Sequence, residues 1–197
     1  LVLLFPEVAF DEAKFLAAVD AKVKAFGYCC VGVSEGLLNA DGKLMAEAGT
    51  RDAFGHAQLG GVGPVVAQLV KDKLGYKYHW AVADYLQRAA RHIASKVDVE
   101  QAYAVGKAAV DLALQGHNSV MPTIVRTSNR PYRWKIGMAS LDKVANVEKM
   151  LPRDYITPDG LHITAKGRKY LAPLIQGEDY PPYEGGLPKY VVLKNKP

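Results

Sequence analysis

The sequence predicts an α/β fold built on a parallel sheet, followed by an irregular and helical carboxyl-terminal extension. Three observations carry this. Residues 1–33 read as strand, helix, strand, the unit of a parallel sheet. Further amphipathic runs bounded by Gly and Pro continue the alternation up to Val125. After Arg126 the composition turns basic and then rich in Pro, Gly and Tyr. The expected division is therefore an α/β region over 1–127 and an extension over 128–197 that wraps it.

Val2 to Phe5 is an apolar strand that Pro6 ends by removing a donor. Asp11 is placed to cap a helix carrying Phe15, Val19, Val23 and Phe26 on one face, and Gly27 stops it. Tyr28-Cys29-Cys30-Val31-Gly32-Val33 is the second strand, and such a crossover is nearly always right-handed. In open α/β sheets ligands sit beyond the carboxyl ends of the strands, which is where Ser34-Glu35-Gly36 falls. A carboxylate there is an acceptor for sugar hydroxyls.

Leu37 to Gly63 reads as a long surface excursion. Its end, Gly60-Gly61-Val62-Gly63, lacks the Lys-Ser/Thr of a P-loop and the dinucleotide spacing, so it reads as an approach to a helix that Pro64 opens. That helix carries Val65, Val66, Leu69, Val70 and Leu74. Tyr76 to Ala83 is the third strand, leading into Asp84-Tyr85-Leu86-Gln87-Arg88-Ala89-Ala90-Arg91-His92. A strand end with a phenol, two arginines and a histidine is equipped for an anion, because the guanidinium fork matches phosphate geometry. Asp98-Val99-Glu100-Gln101 reads as a capping box for a helix through Val105, Ala109 and Leu112 to Gly116. Ser119 to Val125 is a fourth strand, and Pro122 within it argues for an edge or for an irregular strand. Ser140 or Asp142 would cap a helix through Val144, Val147 and Met150; Asp159-Gly160 is a turn; Thr164 to Leu171 is a further helix; Tyr190 to Leu193 is a last strand.

The formal net charge of +5 favours an anionic ligand. The basic residues are dispersed and form no nucleic-acid motif, so nucleic acid is not an expected partner. No apolar run approaches a membrane span. The two cysteines, adjacent at Cys29 and Cys30, point to opposite faces in a strand, so free and mostly buried thiols in a cytoplasmic protein are expected. No metal-ligand spacing is present.

The stretch from Asp84 to Ser95 resembles the phosphofructokinase family, and its Tyr85-x-x-Arg88 resembles the pyrophosphate-dependent branch. Phe5-Pro6-Glu7-Val8-Ala9-Phe10 resembles a further segment of that family, and Ser34-Glu35 matches its Ser/Thr-Glu pair. The ordered match covers roughly the first 125 residues. The resemblance implies that Arg88 grips the 6-phosphate of fructose 6-phosphate, that Tyr85 hydrogen-bonds the substrate, that Glu35 takes the sugar hydroxyls, and that all three converge at one cleft. Many members carry an arginine six residues before the motif's Tyr that reaches across a subunit interface. His79 stands there, with Lys77 nearby, and either of these, or an arginine elsewhere, is a candidate replacement for that phosphate contact. Glu7 corresponds to an effector-site carboxylate in some relatives, but Phe26 stands where a second basic residue is usual, so a structural or solvent-facing Glu7 is expected.

The family's Gly-Gly-Asp-Gly phosphate loop is not present, nor its Thr-Ile-Asp-Asn-Asp segment with the general base. None of Asp20, Asp41, Asp84 or Asp111 stands in a matching context. The resemblance thus implies the carboxyl-terminal, fructose-6-phosphate-holding part of a homo-oligomeric enzyme that uses pyrophosphate and Mg2+. The missing amino-terminal half would carry the metal ligands and the catalytic residues, so this part alone would be inactive. An ATP-dependent parent is the near alternative, and a non-catalytic sugar-phosphate-binding or regulatory module the more distant one. The helix to Gly116 and the strand to Val125 would need partners for Val105, Ala109, Leu112, Val120 and Ile124, either locally, from the missing half or from another copy of the chain.

Overall fold

The computed structural model describes residues 1–51, 57–59, 61–83 and 85–194, and only the backbone of 47–51, 57–59, 87 and 88. Its helices and strands are mixed along the chain, and its contacts gather into two units, Leu1–Ala83 with Met150–Arg168 and Asp84–Lys149 with Lys169–Pro197.

In the first unit, Val2–Leu4 (β1) and Val31–Val33 (β2) pair in parallel, Val2 with Val31 and Leu4 with Val33. Between them runs the helix Glu12–Phe26 (α1). Its start is set by Asp11, whose carboxylate accepts the N–H of Lys14 at 3.0 Å. Its end is set by Gly27 at φ 79°, a conformation that costs a residue with a Cβ. Phe15 and Val19 are buried, whereas Phe26 is exposed, its last-turn position lying beyond the sheet. The second strand begins only at Val31, so Tyr28, Cys29 and Cys30 lie outside the pleat. Both thiols are free; Cys29 is half-buried, but Cys30 is exposed, which corrects the expectation of two mostly buried cysteines.

The excursion after Leu37 is not a plain surface loop. Leu37 and Ala46 are buried in the core, and Glu47–Arg51 (β3) pairs antiparallel with Ala57–Leu59 (β4). Leu38 bridges Leu44 around a turn in which the Asn39 side chain accepts two backbone N–H groups, from Asp41 and Lys43. Gly60 lies outside the described residues. The next helix, Val62–Leu74 (α2), starts two residues before Pro64, and its buried stripe is Val62, Val66 and Val70, with Val65 turned outward. Phe15, Leu37, Val2 and Val62 are the largest fully buried side chains among the described residues, and they join α1, α2 and the strand pair in one core. Tyr76 to Ala83 carries no strand pairing among the described residues, and Trp80 and Val82 are exposed.

The second unit opens with a single helical turn, Leu86–Ala89 (α3), and then the helix Lys96–Leu114 (α4). The cap of α4 is Ser95 rather than Asp98: the Ser95 hydroxyl accepts the Asp98 N–H at 3.2 Å and donates to the Leu174 carbonyl at 2.8 Å. Gln101 does not reach back to a cap; it donates to the Tyr132 hydroxyl at 2.6 Å. Val120–Asn129 (β5) and Tyr132–Ser140 (β6) form an antiparallel hairpin longer than the strand expected to end at Val125. Pro122 lies opposite Met138 in this two-stranded ribbon, where among the described residues both strands have an open edge. Val105, Leu112, Val120 and Ile124 are half-buried where α4 lies against this hairpin, and Ala109 is exposed. Arg126 stacks between the rings of Tyr132 and Tyr170, 4.6 and 4.5 Å from their centroids, which ties the hairpin to the later chain. Beyond β6 only a turn forms at Leu141–Lys143, where a helix through Met150 was expected. The Ser140 hydroxyl is taken by the Asp142 carboxylate instead of capping a helix.

The chain then re-enters the first unit, where Leu161 joins the core and the Leu3 N–H donates to its carbonyl at 2.8 Å. Asp159-Gly160 is a turn as expected. The helix Ala165–Leu171 (α5) starts after Thr164, whose hydroxyl accepts the Gly167 N–H. Last, Tyr183–Glu184 (β7) and Leu187–Pro188 (β8) pair across Gly185-Gly186. Tyr190 to Leu193 is exposed and unpaired among the described residues, not a strand. Among those residues no helix is long and apolar enough to cross a membrane.

Candidate functional site

Glu35 stands at the carboxyl end of β2, on a turn built by its neighbours. The Ser34 N–H donates to the Leu4 carbonyl at 3.3 Å, carrying the pairing of β1 and β2 one residue further. The Ser34 carbonyl then accepts the Leu37 N–H at 3.1 Å, closing a turn with Glu35 and Gly36 at its centre. The Gly36 N–H donates to the Ser34 hydroxyl at 3.3 Å, and the buried Leu37 anchors the far side. Glu35 is half-buried at the tip. An ionised carboxylate is an acceptor only, with two oxygens, which suits a pair of sugar hydroxyls.

A cavity of about 160 Å³ lies past the end of β1, lined by Leu4, Phe5, Val8, Phe10, Leu37 and Asp159 among others. Ligand pockets for drug-sized molecules run about 300–1,000 Å³, so this one is small for a sugar phosphate. The Thr157 hydroxyl, with the Leu161 N–H, holds the Asp159 carboxyl below the usual carboxylate range. Nearby, Glu7 fills a structural role: its Oε1 accepts the Leu151 N–H at 2.7 Å and ties the returning chain to the end of the first strand.

Lys77 and His79 are exposed on the segment after α2. The alternate residues point inward: the Tyr76 hydroxyl donates to Asp20 at 2.7 Å and the Tyr78 hydroxyl to Gln68 at 2.9 Å. These two hydrogen bonds tie the segment to α1 and α2 and leave Lys77 and His79 exposed.

Tyr85 and Arg88 belong to the second unit. Tyr85 immediately precedes the turn of α3 and is 69% exposed. The Ala89 N–H donates to the Tyr85 carbonyl at 3.0 Å, so positions 85 and 88 stand one turn apart on one side of it. The side chain of Arg88, like Asp84, lies outside the described residues. The motif's other arginine is engaged within the chain: Arg91 Nη1 donates to the Asp179 carbonyl and Nη2 to its carboxylate. That clasp removes Arg91 from the anion-binding set that the sequence offered. It also shapes an open groove of about 840 Å³ lined by Arg91, His92, Ser95, Glu178 and Tyr180 among others. Glu35, Lys77 and His79 thus lie in one unit and Tyr85 and Arg88 in the other.

Among the described residues no group of three or more His, Cys, Asp or Glu side chains gathers.

No family model matches the chain. It is 67% identical over 195 residues to the pyrophosphate–fructose 6-phosphate 1-phosphotransferase of Methylococcus capsulatus, a match that covers 99% of this chain and 46% of that protein. It is 59% identical to the protein of the same description from Halomonas elongata, over 98% of this chain and 46% of that one. In structure it is similar to the pyrophosphate-dependent phosphofructokinase from Nitrosospira multiformis, with 64% identity and a TM-score of 0.82, covering 99% of this chain and 45% of that one. The chain therefore spans slightly under half the length of the relatives it matches. At these identities, over almost its whole length and with the same fold, the chain belongs to the pyrophosphate-dependent branch of the phosphofructokinase family.

Proposed function

We propose that this chain is the carboxyl-terminal, fructose-6-phosphate-binding part of a pyrophosphate-dependent phosphofructokinase. The complete enzyme would transfer a phosphoryl group from pyrophosphate to the 1-hydroxyl of fructose 6-phosphate. The observation that supports this most is the 67% identity with the Methylococcus capsulatus protein over 99% of the chain. In this reading Arg88 holds the 6-phosphate through its planar fork of donors, and Tyr85, one turn away, adds a hydrogen bond. Glu35 accepts from the sugar hydroxyls at the end of β2, where α/β sheets hold their ligands. Lys77 by charge and His79 by hydrogen bonding serve a phosphate from their exposed positions. Phosphoryl transfer is catalysed by positioning and by charge stabilisation. On this reading the chain positions the acceptor, and the part of the relatives that it does not match supplies the pyrophosphate loop, the Mg2+ ligands and the general base. The enzyme would be a cytoplasmic homo-oligomer, with residues 1–127 as the phosphofructokinase-like substrate region on a parallel sheet and 128–197 as its extension.

The test is an assay of fructose 1,6-bisphosphate formation with pyrophosphate or ATP as donor. The complete polypeptide should turn over with pyrophosphate, and the purified chain should not. Sustained turnover by the chain alone would overturn the division of labour, and turnover of the complete polypeptide with ATP in preference to pyrophosphate would overturn the donor.

A further inference from the structure

Gly36 is a glycine without a backbone reason to be one. Its φ lies outside the left-handed region, so the conformation is open to any residue. Space is what excludes a side chain: a Cβ at position 36 would stand 3.3 Å from Pro6 Cβ, 3.8 Å from Ser34 Oγ and 4.0 Å from Pro6 Cγ. The rigid ring of Pro6 is tied to the sheet two residues after Leu4, which is in register with Val33 of β2. On the other side of the turn Leu37 is 1% exposed and its carbonyl accepts the Met45 N–H, so that end is fixed as well. A methyl group added between two fixed ends displaces the residue at the tip, which is Glu35.

We infer that Gly36 is a positioning residue, and that the close approach of its Cα to Pro6 sets where the Glu35 carboxylate meets the sugar. The inference rests on the reading of Glu35 as a contact of fructose 6-phosphate. The ring of Pro6 acts as a floor for the turn, and Ser34 holds the turn from within through its hydroxyl. A displacement of a few tenths of an ångström moves an acceptor off its hydroxyl partners; since about 1 Å of misplacement costs about 100-fold, the expected loss is several-fold. It should fall on the sugar substrate alone.

The experiment uses the complete polypeptide and four variants: Glu35→Gln, Gly36→Ala, Pro6→Gly and the double variant Pro6→Gly/Gly36→Ala. KM for fructose 6-phosphate, KM for pyrophosphate, kcat and the melting temperature are measured for each. Gly36→Ala should raise KM for fructose 6-phosphate about 3- to 10-fold, with KM for pyrophosphate and kcat within about twofold. In the Pro6→Gly background, which removes the opposing Cβ, the same substitution should change that KM less than about twofold. If Glu35→Gln leaves KM for fructose 6-phosphate unchanged, the reading of Glu35 fails. If Glu35→Gln raises it and Gly36→Ala does not, or does so equally in both backgrounds, Glu35 keeps its role and the positioning inference is overturned. A Gly36→Ala protein that does not fold unless Pro6→Gly is present supports the contact; one that Pro6→Gly does not restore overturns it.

Discussion

Replacing Ser95 by Ala removes two hydrogen bonds at once, and the structure assigns a cost to each. As the cap of α4 the hydroxyl accepts the Asp98 N–H at 3.2 Å, a contact worth about 1 kcal/mol in helix caps. As a donor it serves the Leu174 carbonyl at 2.8 Å in a half-buried position, which is worth about 1 kcal/mol more. Ser95→Ala should therefore destabilise the second unit by about 2 kcal/mol. Ser95→Thr keeps the acceptor and the proton and should stay close to the parent. Ser95→Asp keeps the acceptor but has no proton for Leu174, and should fall between Thr and Ala. Trp134 lies on β6 in the same unit, so in a Trp80→Phe background its fluorescence follows this unit alone. With a urea slope of about 2 kcal/mol/M, the midpoint for Ala should drop by about 1 M at unchanged slope. An Ala variant within about 0.5 kcal/mol of the parent, the range of an ordinary surface substitution, would refute the assignment of Ser95 as cap and strut.

Other outcomes follow from the same structure. Cys30 is exposed while burial pushes the Cys29 thiol up, so thiol labelling of the native chain should modify one cysteine quickly and the other slowly. Two equally fast thiols would contradict this. Asp159 has its carboxyl held low by Thr157 and Leu161, so its contribution to stability is present above the ordinary carboxylate pKa of about 3.9 and fades as pH falls through the lower folded value. Asp159→Asn should destabilise by at most about 1 kcal/mol at neutral pH, with the gap closing below about pH 4, as read from thermal midpoints across that range. A gap that widens in acid would reverse the sign assigned here.

What the sequence discloses is what local chemistry decides. Asp11, Gly27 and the apolar run before Pro6 place β1, α1 and β2, because a cap carboxylate, a left-handed glycine and a missing donor all act within a few residues. The hairpin of β5 and β6 is half legible: Pro122 marks an edge, but the basic stretch around Arg130 reads as a break although it is the turn joining two paired strands. The helix cap is ambiguous because Ser95-x-x-Asp98 and Asp98-x-x-Gln101 both fit, and a carbonyl 79 residues away, at Leu174, favours the serine. At Tyr76–Ala83 the two tyrosines bind helices while Lys77 and His79 face out, but Trp80 to Ala83 are all exposed, and a strand also needs a partner backbone, which the sequence of one segment does not supply. At the candidate site, the position of Ser34-Glu35 at a strand end is readable from the βαβ pattern. That Arg91 is spent on Asp179, 88 residues on, is not, because nothing near Arg91 distinguishes it from Arg88. The tightness of Gly36 against Pro6 is equally hidden: the two are brought together by the pairing of β1 with β2.

The proposal that this chain holds the sugar phosphate and not the phosphoryl donor is decided by steady-state kinetics of Arg88→Ala in the complete polypeptide. A charge-assisted hydrogen bond is worth about 1.5–3 kcal/mol, so KM for fructose 6-phosphate should rise about 10- to 150-fold. KM for pyrophosphate should stay within about twofold of the parent. A variant that loses affinity for pyrophosphate while keeping its KM for fructose 6-phosphate would contradict the account.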